Sequence, residues 1–217
     1  MTRPVSDPGL TLSQLFSPAF PVGSFAYSHG LEAAIADGRI GTAAELQAWL
    51  RDVLAHGAGR NDALLLAAAH AAAGPDDLAR VDALSRALVP SSERLRETVL
   101  QGAAFARTVA DVWGIDLKPL SYPVAAGRAA RLLGLPPEAT ARHYLLAMAS
   151  TLVSVAVRLV PLGQTEGQQV LAALVPLCAA LAAETADGDL DEIGGAAILS
   201  DLAGMRHETM ETRVFRS

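Results

Sequence analysis

Apolar residues recur at helical spacing along most of this chain. The pattern is clearest after Thr42, where apolar side chains follow at steps of three and four: Leu46, Trp49, Leu50, Val53 and Leu54. This spacing predicts an amphipathic helix that faces a core, and Thr42 with Glu45 forms the capping-box pattern of its first turn. Comparable patterns predict nine further helices, over residues 10–16, 29–38, 61–73, 76–89, 91–113, 123–134, 138–160, 165–184 and 195–207.

Prolines and glycines separate these segments with short connectors. Connectors of this length predict a single all-α domain that covers residues 1–217. It is expected to be a bundle of about ten helices with an extended C-terminal tail. Residues 1–9 are predicted to form a loose start and 208–217 the tail. Gly102 lies inside a predicted helix, which indicates that another helix crosses closely there. The acidic segment 187–192 is expected to cap the last helix, because carboxylates favour that end of a helix.

Composition supports the helical fold and narrows the function. Half of the 217 residues are hydrophobic and only 5% are aromatic, a balance that favours helices over strands. The net charge is −6, Lys118 is the only lysine, and no basic stripe stands out, so a nucleic-acid partner is not expected. Cys178 is the only cysteine and is expected to be an inert core thiol. No signal peptide is evident, and the apolar stretches are short for a membrane span. We therefore expect a soluble, cytoplasmic protein.

Several motifs of catalysis and metal binding are missing from the sequence. There is no G-x-x-x-x-G-K-[ST] phosphate loop, no G-x-S-x-G elbow and no H-E-x-x-H. The acidic run at Asp187, Asp189 and Asp191 resembles an EF-hand start, but Glu192 and Ile198 occupy the positions that need Gly and Glu. These absences favour a binding or scaffold protein over an enzyme.

The histidines and the tail leave alternatives open. His29 and Glu32 are three residues apart, which suits either a surface capping pair or two metal ligands that a subunit interface completes. His207 and Glu208 are neighbours and cannot easily chelate one ion. The tail around them is either a frayed end or an interface segment, since Phe215 between arginines has the composition of an interface anchor.

Four stretches in order along the chain carry a family resemblance. They are S-P-A-F-P-V-G-S-F-A-Y-S-H-G-L-E at 17–32, S-Y-P-V-A-A-G at 121–127, R-L-V-P-L-G-Q-T-E at 158–166, and M-R-H-E-T at 205–209 with R-V-F-R-S at 213–217. Together they resemble the urease accessory protein UreF family over nearly the whole chain. The resemblance implies an all-α fold that forms a homodimer and a non-catalytic role in maturing urease, a nickel enzyme.

The resemblance also implies partners. Members of the family bind the accessory protein UreD, called UreH in some systems, and together they recruit the GTPase UreG to the urease apoprotein. Nickel is implied to pass in transit, with no cofactor bound tightly. Two alternatives remain: a regulator of GTP hydrolysis by UreG, and a metal carrier that acts alone.

Site residues follow from the matched motifs. The tail is expected to bind the partner, disordered alone and ordered on binding, through these residues: Arg206, His207, Glu208, Arg213, Phe215 and Arg216. His29 and Glu32 are expected on a nickel route, where weak ligands suffice. Gly163, Gln164 and Arg158 are expected to be structural or to organise the dimer face. Arg158 is expected to be buried and paired, and Gln164, Thr165 and Gln168 to cap the helix that follows them.

Overall fold

The computed structural model describes residues 5–216. Within that range the chain forms ten α-helices, two 3-10 turns and no strand, which confirms the all-α prediction. The helices are α1 Pro8–Leu15, α2 Leu31–Ala36, α3 Ala43–His56, α4 Ala58–Ala71, α5 Pro75–Ala87, α6 Ser92–Trp113, α7 Tyr122–Leu133, α8 Pro137–Leu159, α9 Gln164–Glu184 and α10 Ile198–His207. The 3-10 turns are Ser24–Ala26 and Leu190–Glu192.

Helices α4 and α8 lie at the centre of the bundle. Helix α4 packs against α7, α8 and α3, and α8 packs against α9. Helix α6 lies on α7, and the last helix, α10, lies on the short α2. Both α4 and α8 are apolar on most faces, and Leu66, Leu145 and Leu152 are almost fully buried in the main core. Burial of this kind is the main source of stability in a helical domain.

Two glycines allow helices to approach each other at backbone distance. A Cβ atom on Gly102 of α6 would lie 2.0 Å from the carbonyl oxygen of Leu120, just before α7. A Cβ atom on Gly127 of α7 would lie 2.0 Å from the carbonyl oxygen of Leu66 in α4. Any side chain would force these segments apart. The close crossing predicted at Gly102 is therefore confirmed.

Helix α2 begins two residues later than the pattern predicts. His29 has a φ of 53° and Gly30 a φ of 77°, so both have left-handed backbone conformations that no right-handed helix contains. Gly30 must be glycine for a second reason, since a Cβ there would lie 2.5 Å from the backbone nitrogen of Gly204 in α10. The turn at His29 therefore brings α10 directly against the start of α2.

Three predictions about helix ends are wrong. Helix α1 begins at Pro8 with Asp7 as its N-cap, so residues 8–9 belong to a helix and not to a loose start; residues 1–4 lie outside the described range. The carboxylate of Glu166 caps α9 by accepting a hydrogen bond from the Gly163 N–H at 2.8 Å, while Gln164 is exposed. A nearby acidic side chain replaced the predicted caps because an ionised acceptor is stronger than an amide or hydroxyl.

The third wrong prediction about helix ends is the cap that the acidic segment 187–192 was expected to form on α10. Leu190–Glu192 forms its own 3-10 turn, and α10 begins only after Ala197, without a side-chain cap. Glu192 instead accepts a hydrogen bond from Arg60 of α4 at 2.6 Å, and Glu184 accepts a second at 3.1 Å. A fork of guanidinium donors holds two carboxylates better than exposed backbone amides would.

The structure confirms the expectation for Cys178 but not the expectation that all apolar stretches are short. Cys178 is buried, and burial raises the pKa of its thiol to about 11, as expected of an unreactive core cysteine. The apolar stretches, however, are not all short: within the described residues α9 is long and apolar enough to cross a membrane. One such helix is weak evidence for a span, and α9 packs against α8 and α3.

Candidate functional site

The C-terminal tail is held on its own chain by a cluster that we call the tail clamp: Glu32, Glu93, His207 and Arg213. The carboxylate of Glu32 in α2 accepts hydrogen bonds from the backbone N–H groups of Val214 at 2.7 Å and Phe215 at 2.9 Å. Burial raises the pKa of Glu32, but the bonds from Val214, His207 and Phe215 outweigh burial, so the net pKa lies below its ordinary value. An ionised Glu32 therefore fixes the tail backbone.

His207, the last residue of α10, joins the two carboxylates of the tail clamp. Its Nε2 lies 3.1 Å from Glu32 and its Nδ1 lies 2.8 Å from Glu93, and the ring is completely buried. Each of the two carboxylates therefore has one ring nitrogen of His207 within hydrogen-bond distance. The guanidinium of Arg213 also contacts Glu93. The tail clamp thus joins two carboxylates, an imidazole and a guanidinium beneath the tail.

Phe215 carries the apolar part of this attachment. Its side chain is 5% exposed and belongs to the main core, and the guanidinium carbon of Arg158 lies 6.0 Å from the ring centroid. The N–H of Arg216 donates to the carbonyl oxygen of Ala26 at 2.8 Å. The expectation of a tail that is disordered alone is therefore wrong for 208–216, because Phe215 has a pocket in its own chain.

Two further tail residues predicted to bind a partner have structural contacts of their own. Glu208 accepts hydrogen bonds from the Ser92 hydroxyl at 2.7 Å and the Glu93 N–H at 3.0 Å, and so caps the start of α6. The Ser92 hydroxyl, followed by the Glu93 N–H, lowers the pKa of Glu208. Arg206 pairs with Asp37 at the end of α2. The tail therefore ties α2, α6 and α10 together.

The outward side of the same region is apolar and exposed. Val214 is 72% exposed beside the buried Phe215. Helix α10 presents four exposed apolar side chains, which we call the apolar stripe: Ile198, Leu199, Leu202 and Met205. Their spacing of three, four and seven places them on one helix face. A contiguous exposed apolar face of this kind is typical of an interaction surface.

A second polar group lies inside the bundle, and we call it the interior cluster: His29, Asp62, Arg94, Glu97, Gln101 and Tyr144. Glu97 of α6 is 1% exposed. Its carboxylate contacts the Arg94 guanidinium and lies 2.8 Å from His29 Nε2. Burial alone would raise the pKa of Glu97, but Arg94 and then His29 outweigh it and lower the pKa to about 2. Glu97 is thus a buried carboxylate with its charge compensated.

Asp62 of α4 faces the same cluster from the other side. Its carboxylate accepts a hydrogen bond from the Tyr144 hydroxyl at 2.7 Å. Burial raises its pKa to about 6, against smaller lowering effects of that bond and of Arg94. Asp62 is therefore a carboxyl group that titrates close to neutral pH, which is unusual outside functional sites.

Two cavities meet at the interior cluster. The larger, about 700 Å³, reaches from α1 to α8 and α9, and the smaller, about 260 Å³, lies between α4, α6 and α10. Four residues line both: His29, Asp62, Arg94 and Thr98. Such volumes hold several waters or a hydrated ion. The interior cluster therefore forms the shared wall of two spaces in the bundle.

His29 and Glu32 do not share one site. His29 contacts Glu97 in the interior cluster, whereas Glu32 belongs to the tail clamp. The left-handed turn at His29 and Gly30 separates them, so the helical spacing of three does not apply. Among residues 5–216 no three metal-ligating side chains are grouped to hold an ion. The prediction that both lie on one nickel route loses its geometric basis for Glu32.

Arg158 also differs from its prediction. Its side chain is exposed at the rim of the larger cavity rather than buried among apolar neighbours. A charge that keeps contact with water needs no buried partner, and the guanidinium carbon of Arg158 lies 6.0 Å from the Phe215 ring centroid. Gly163 and Gln164 follow at the exposed start of α9.

Sequence reasoning missed most of the interior cluster. The apolar residues Leu95, Val99, Phe105 and Val109 of the segment 91–113 predict one buried helix face, yet Leu95 is 37% exposed. The buried face instead includes Glu97, Gln101 and Phe105. These residues stand at steps of four, so the helical period was visible, but a polar residue is normally assigned to the solvent side. Only the partners from α2 and α4 reveal that this polar row is buried.

Comparison with known proteins identifies close relatives. The UreF family model matches residues 40–175. A urease accessory protein UreF from Cereibacter sphaeroides (strain KD131 / KCTC 12085) is 59% identical over 208 residues, 96% of this chain and 98% of its own. The protein of the same name from Roseobacter denitrificans is 52% identical over 212 residues, 98% of this chain and 95% of its own. That from Ruegeria pomeroyi is 49% identical over 217 residues, 100% of both chains.

Proposed function

The chain belongs to the urease accessory protein UreF family, and from this premise we propose a non-catalytic assembly factor for the nickel centre of urease. It binds UreD (UreH), recruits the GTPase UreG in that complex, and so brings nickel to the urease apoprotein. The observation that supports this proposal is a tail docked on its own chain, with an exposed outer surface beside the apolar stripe. A scaffold of this kind needs surfaces for partners rather than reactive groups.

The docked tail divides the expected partner residues into two sides. Phe215, His207 and Glu208 face the chain itself. Arg216 faces outward, and so does Val214, which lies between two of the expected residues. An exposed aliphatic side chain next to an arginine suits a protein partner, since interface centres are apolar and arginine is enriched around them. We therefore propose that UreD binds to this outer side, whereas the inner side stabilises the fold.

The apolar stripe on α10 suits a second copy of the chain. None of its four residues is charged, so two identical stripes can pack about a two-fold axis without bringing like charges together. The stripe is exposed in the single chain. Its burial against a second copy would therefore lower the free energy. We therefore assign the homodimer contact to α10, distinct from the outer side of the tail.

Nickel in transit needs weak and exchangeable contacts, and the interior cluster supplies groups of that kind. Its carboxylates and imidazole stand at the wall of two cavities rather than in a closed set of ligands. A tight tetrahedral site would hold the metal instead of passing it on. The interior cluster is therefore a better basis for the nickel route than the pair His29 and Glu32.

Urease activation tests the proposed function directly. In a urease-positive relative with its own UreF gene deleted, this chain is expected to restore both urease activity and the nickel content of the purified urease. Urease polypeptide should accumulate without nickel when the chain is absent. Full activity without the chain, or nickel-free urease in its presence, would overturn the proposal.

A further inference from the structure

The C-terminal tail is hydrogen-bonded to both ends of the turn that precedes α2. The Arg216 N–H donates to the carbonyl oxygen of Ala26, at the start of the turn, at 2.8 Å. The Val214 and Phe215 N–H groups donate to the carboxylate of Glu32, just beyond its end, at 2.7 and 2.9 Å. Three consecutive tail residues therefore bridge the turn from one end to the other.

The backbone between these two bonding points is strained. His29 has a φ of 53° and is the one non-glycine residue among 5–216 in the left-handed region. Gly30 follows with a φ of 77°. A residue with a Cβ rarely adopts this conformation, and it persists only where the surrounding structure holds it. The turn at His29 should therefore relax towards an ordinary conformation once its attachments are lost.

The other attachments of this turn come from α10, directly before the tail. Gly30 packs at backbone distance against Gly204 of α10. His207, the last residue of α10, lies 3.1 Å from Glu32. Phe215 then anchors the tail in the main core. The C-terminal part of the chain thus contacts the turn at its start, in its middle and at its end.

The side chain of His29 connects the same turn with the interior cluster. Its Nε2 lies 2.8 Å from Glu97. Arg94, followed by His29, lowers the pKa of Glu97 to about 2 against the effect of burial, so this carboxylate is ionised and Nε2 donates to it. A hydrogen bond weakens steeply when its geometry changes. A different backbone conformation at His29 would therefore withdraw the ring from Glu97.

We propose that the docked tail is a conformational strap, which holds the left-handed turn at His29 and so sets the geometry of the interior cluster. Release of the tail frees the turn, and the His29 ring then leaves Glu97. The strap therefore couples the exposed C-terminus to the wall that the two cavities share. This coupling is a property of the single chain and does not depend on the proposed function.

The test compares two substitutions of one exposed tail residue in the full chain. Arg216→Pro removes the N–H that donates to Ala26, whereas Arg216→Ala keeps it. The Leu31 N–H donates to the Ser28 carbonyl oxygen at 3.0 Å, so its hydrogen exchange reports on the turn. Exchange should be about 3–10-fold faster in R216P, as expected for one lost hydrogen bond, and unchanged in R216A. NMR of ¹⁵N-labelled imidazole groups should show a shifted His29 Nε2 signal in R216P alone.

Phe215→Ala releases the tail more strongly, and Leu174→Ala in α9 is its matched control. Both side chains are buried in the main core, and Leu174 lines neither cavity. F215A should speed exchange at Leu31 at least about 10-fold, since a buried phenylalanine stabilises its site by several hydrogen bonds' worth of free energy. F215A should also shift the His29 Nε2 signal. L174A should leave that signal in place, because a general loss of stability does not release the tail.

Two results overturn the inference. One is a His29 ring signal and a Leu31 exchange rate that stay at wild-type values in both R216P and F215A. The other is an L174A protein that shifts the His29 ring as F215A does, because the shift would then report general destabilisation. R216P decides the matter even where F215A does not fold. None of these measurements involves UreD or urease activation, so their failure is distinct from failure of the proposed function.

Discussion

At the scale of single residues, Glu32 and Asp62 show how burial gives two carboxyl groups opposite properties. Glu32 receives two backbone N–H groups and an imidazole, so its charged form is favoured. Asp62 receives one hydroxyl in a buried setting, so its neutral form is favoured. Hydrogen bonds to the charged form lower a carboxyl pKa, and desolvation raises it.

Glu32→Gln is expected to loosen the tail. Because the folded pKa of Glu32 is lowered, its ionised form stabilises the fold above the unfolded value of 4.5 and loses this effect as pH falls through the folded pKa. The amide cannot replace all three contacts, so the free energy of unfolding should fall by about 2 kcal/mol at pH 7. Urea denaturation measures this, and faster hydrogen exchange at Val214 and Phe215 locates it. Exposed Glu211→Gln should change neither.

Asp62→Asn is expected to change how stability depends on pH. The folded pKa of Asp62 is raised to about 6 from 3.8, so its burial destabilises the fold above pH 6 and this cost disappears as pH falls towards 3.8. The wild type should therefore gain about 1 kcal/mol relative to D62N between pH 7.5 and 5. Urea denaturation of both proteins at the two pH values tests this. Parallel behaviour of the two would contradict the raised pKa.

At the scale of elements, the glycines decide how closely helices approach. Gly102 has no room for a side chain against Leu120, whereas a Cβ on Gly204 in α10 would meet nothing within 4 Å. The same substitution should therefore have opposite effects in the two helices. This contrast separates a packing requirement from the general cost of glycine in a helix.

Gly102→Ala should lower the free energy of unfolding by about 1–3 kcal/mol, because α6 must move away from the start of α7. Gly204→Ala should raise it by roughly 0.5–1 kcal/mol, as alanine loses less backbone entropy in a helix. Thermal and urea unfolding of both variants give the signs. A destabilised G204A or an unaffected G102A would show that the helix crossings are placed differently.

The apolar stripe of α10 carries the prediction for the dimer. Leu202→Asp should raise the dimer dissociation constant at least about 100-fold, since a two-fold contact carries the unpaired charge twice. Light scattering after gel filtration measures the oligomeric state. Leu100→Asp is the matched control, because Leu100 of α6 is also an exposed leucine. A dimer that survives L202D places the homodimer contact elsewhere.

Local signals predicted the elements well, and contacts between distant segments did not follow from them. The capping box at Thr42 and Glu45 is present as predicted, because both partners lie within one turn. The late start of α2 depends on the packing of Gly30 against α10, far along the chain. The alternating charges of the tail suggested solvent, yet Arg213 meets Glu93 in α6. Which charges pair across the fold is a tertiary property.

At the scale of the whole molecule, the tail connects helices of its own chain and also presents an exposed surface to solvent. On its inner side the tail backbone donates to Glu32 of α2, while Arg213 and Glu208 contact the start of α6. Its outer side leaves Val214 to solvent. Removing the tail would therefore damage the fold and the assembly together, so a truncation cannot separate them. Substitutions on the outer side can.

The most direct measurement of the proposed assembly is the affinity for UreD. It is compared among the wild type, Val214→Arg and the control Thr212→Arg. Val214 and Thr212 are both exposed in the tail, so thermal unfolding should be alike in all three. Isothermal titration calorimetry should show that V214R binds UreD at least about 10-fold more weakly, a difference of about 1.4 kcal/mol. T212R should bind UreD with an affinity close to that of the wild type. In a separate co-purification, UreG should be retained only when UreD is bound. Equal affinity of V214R and the wild type, or capture of UreG without UreD, would contradict the account.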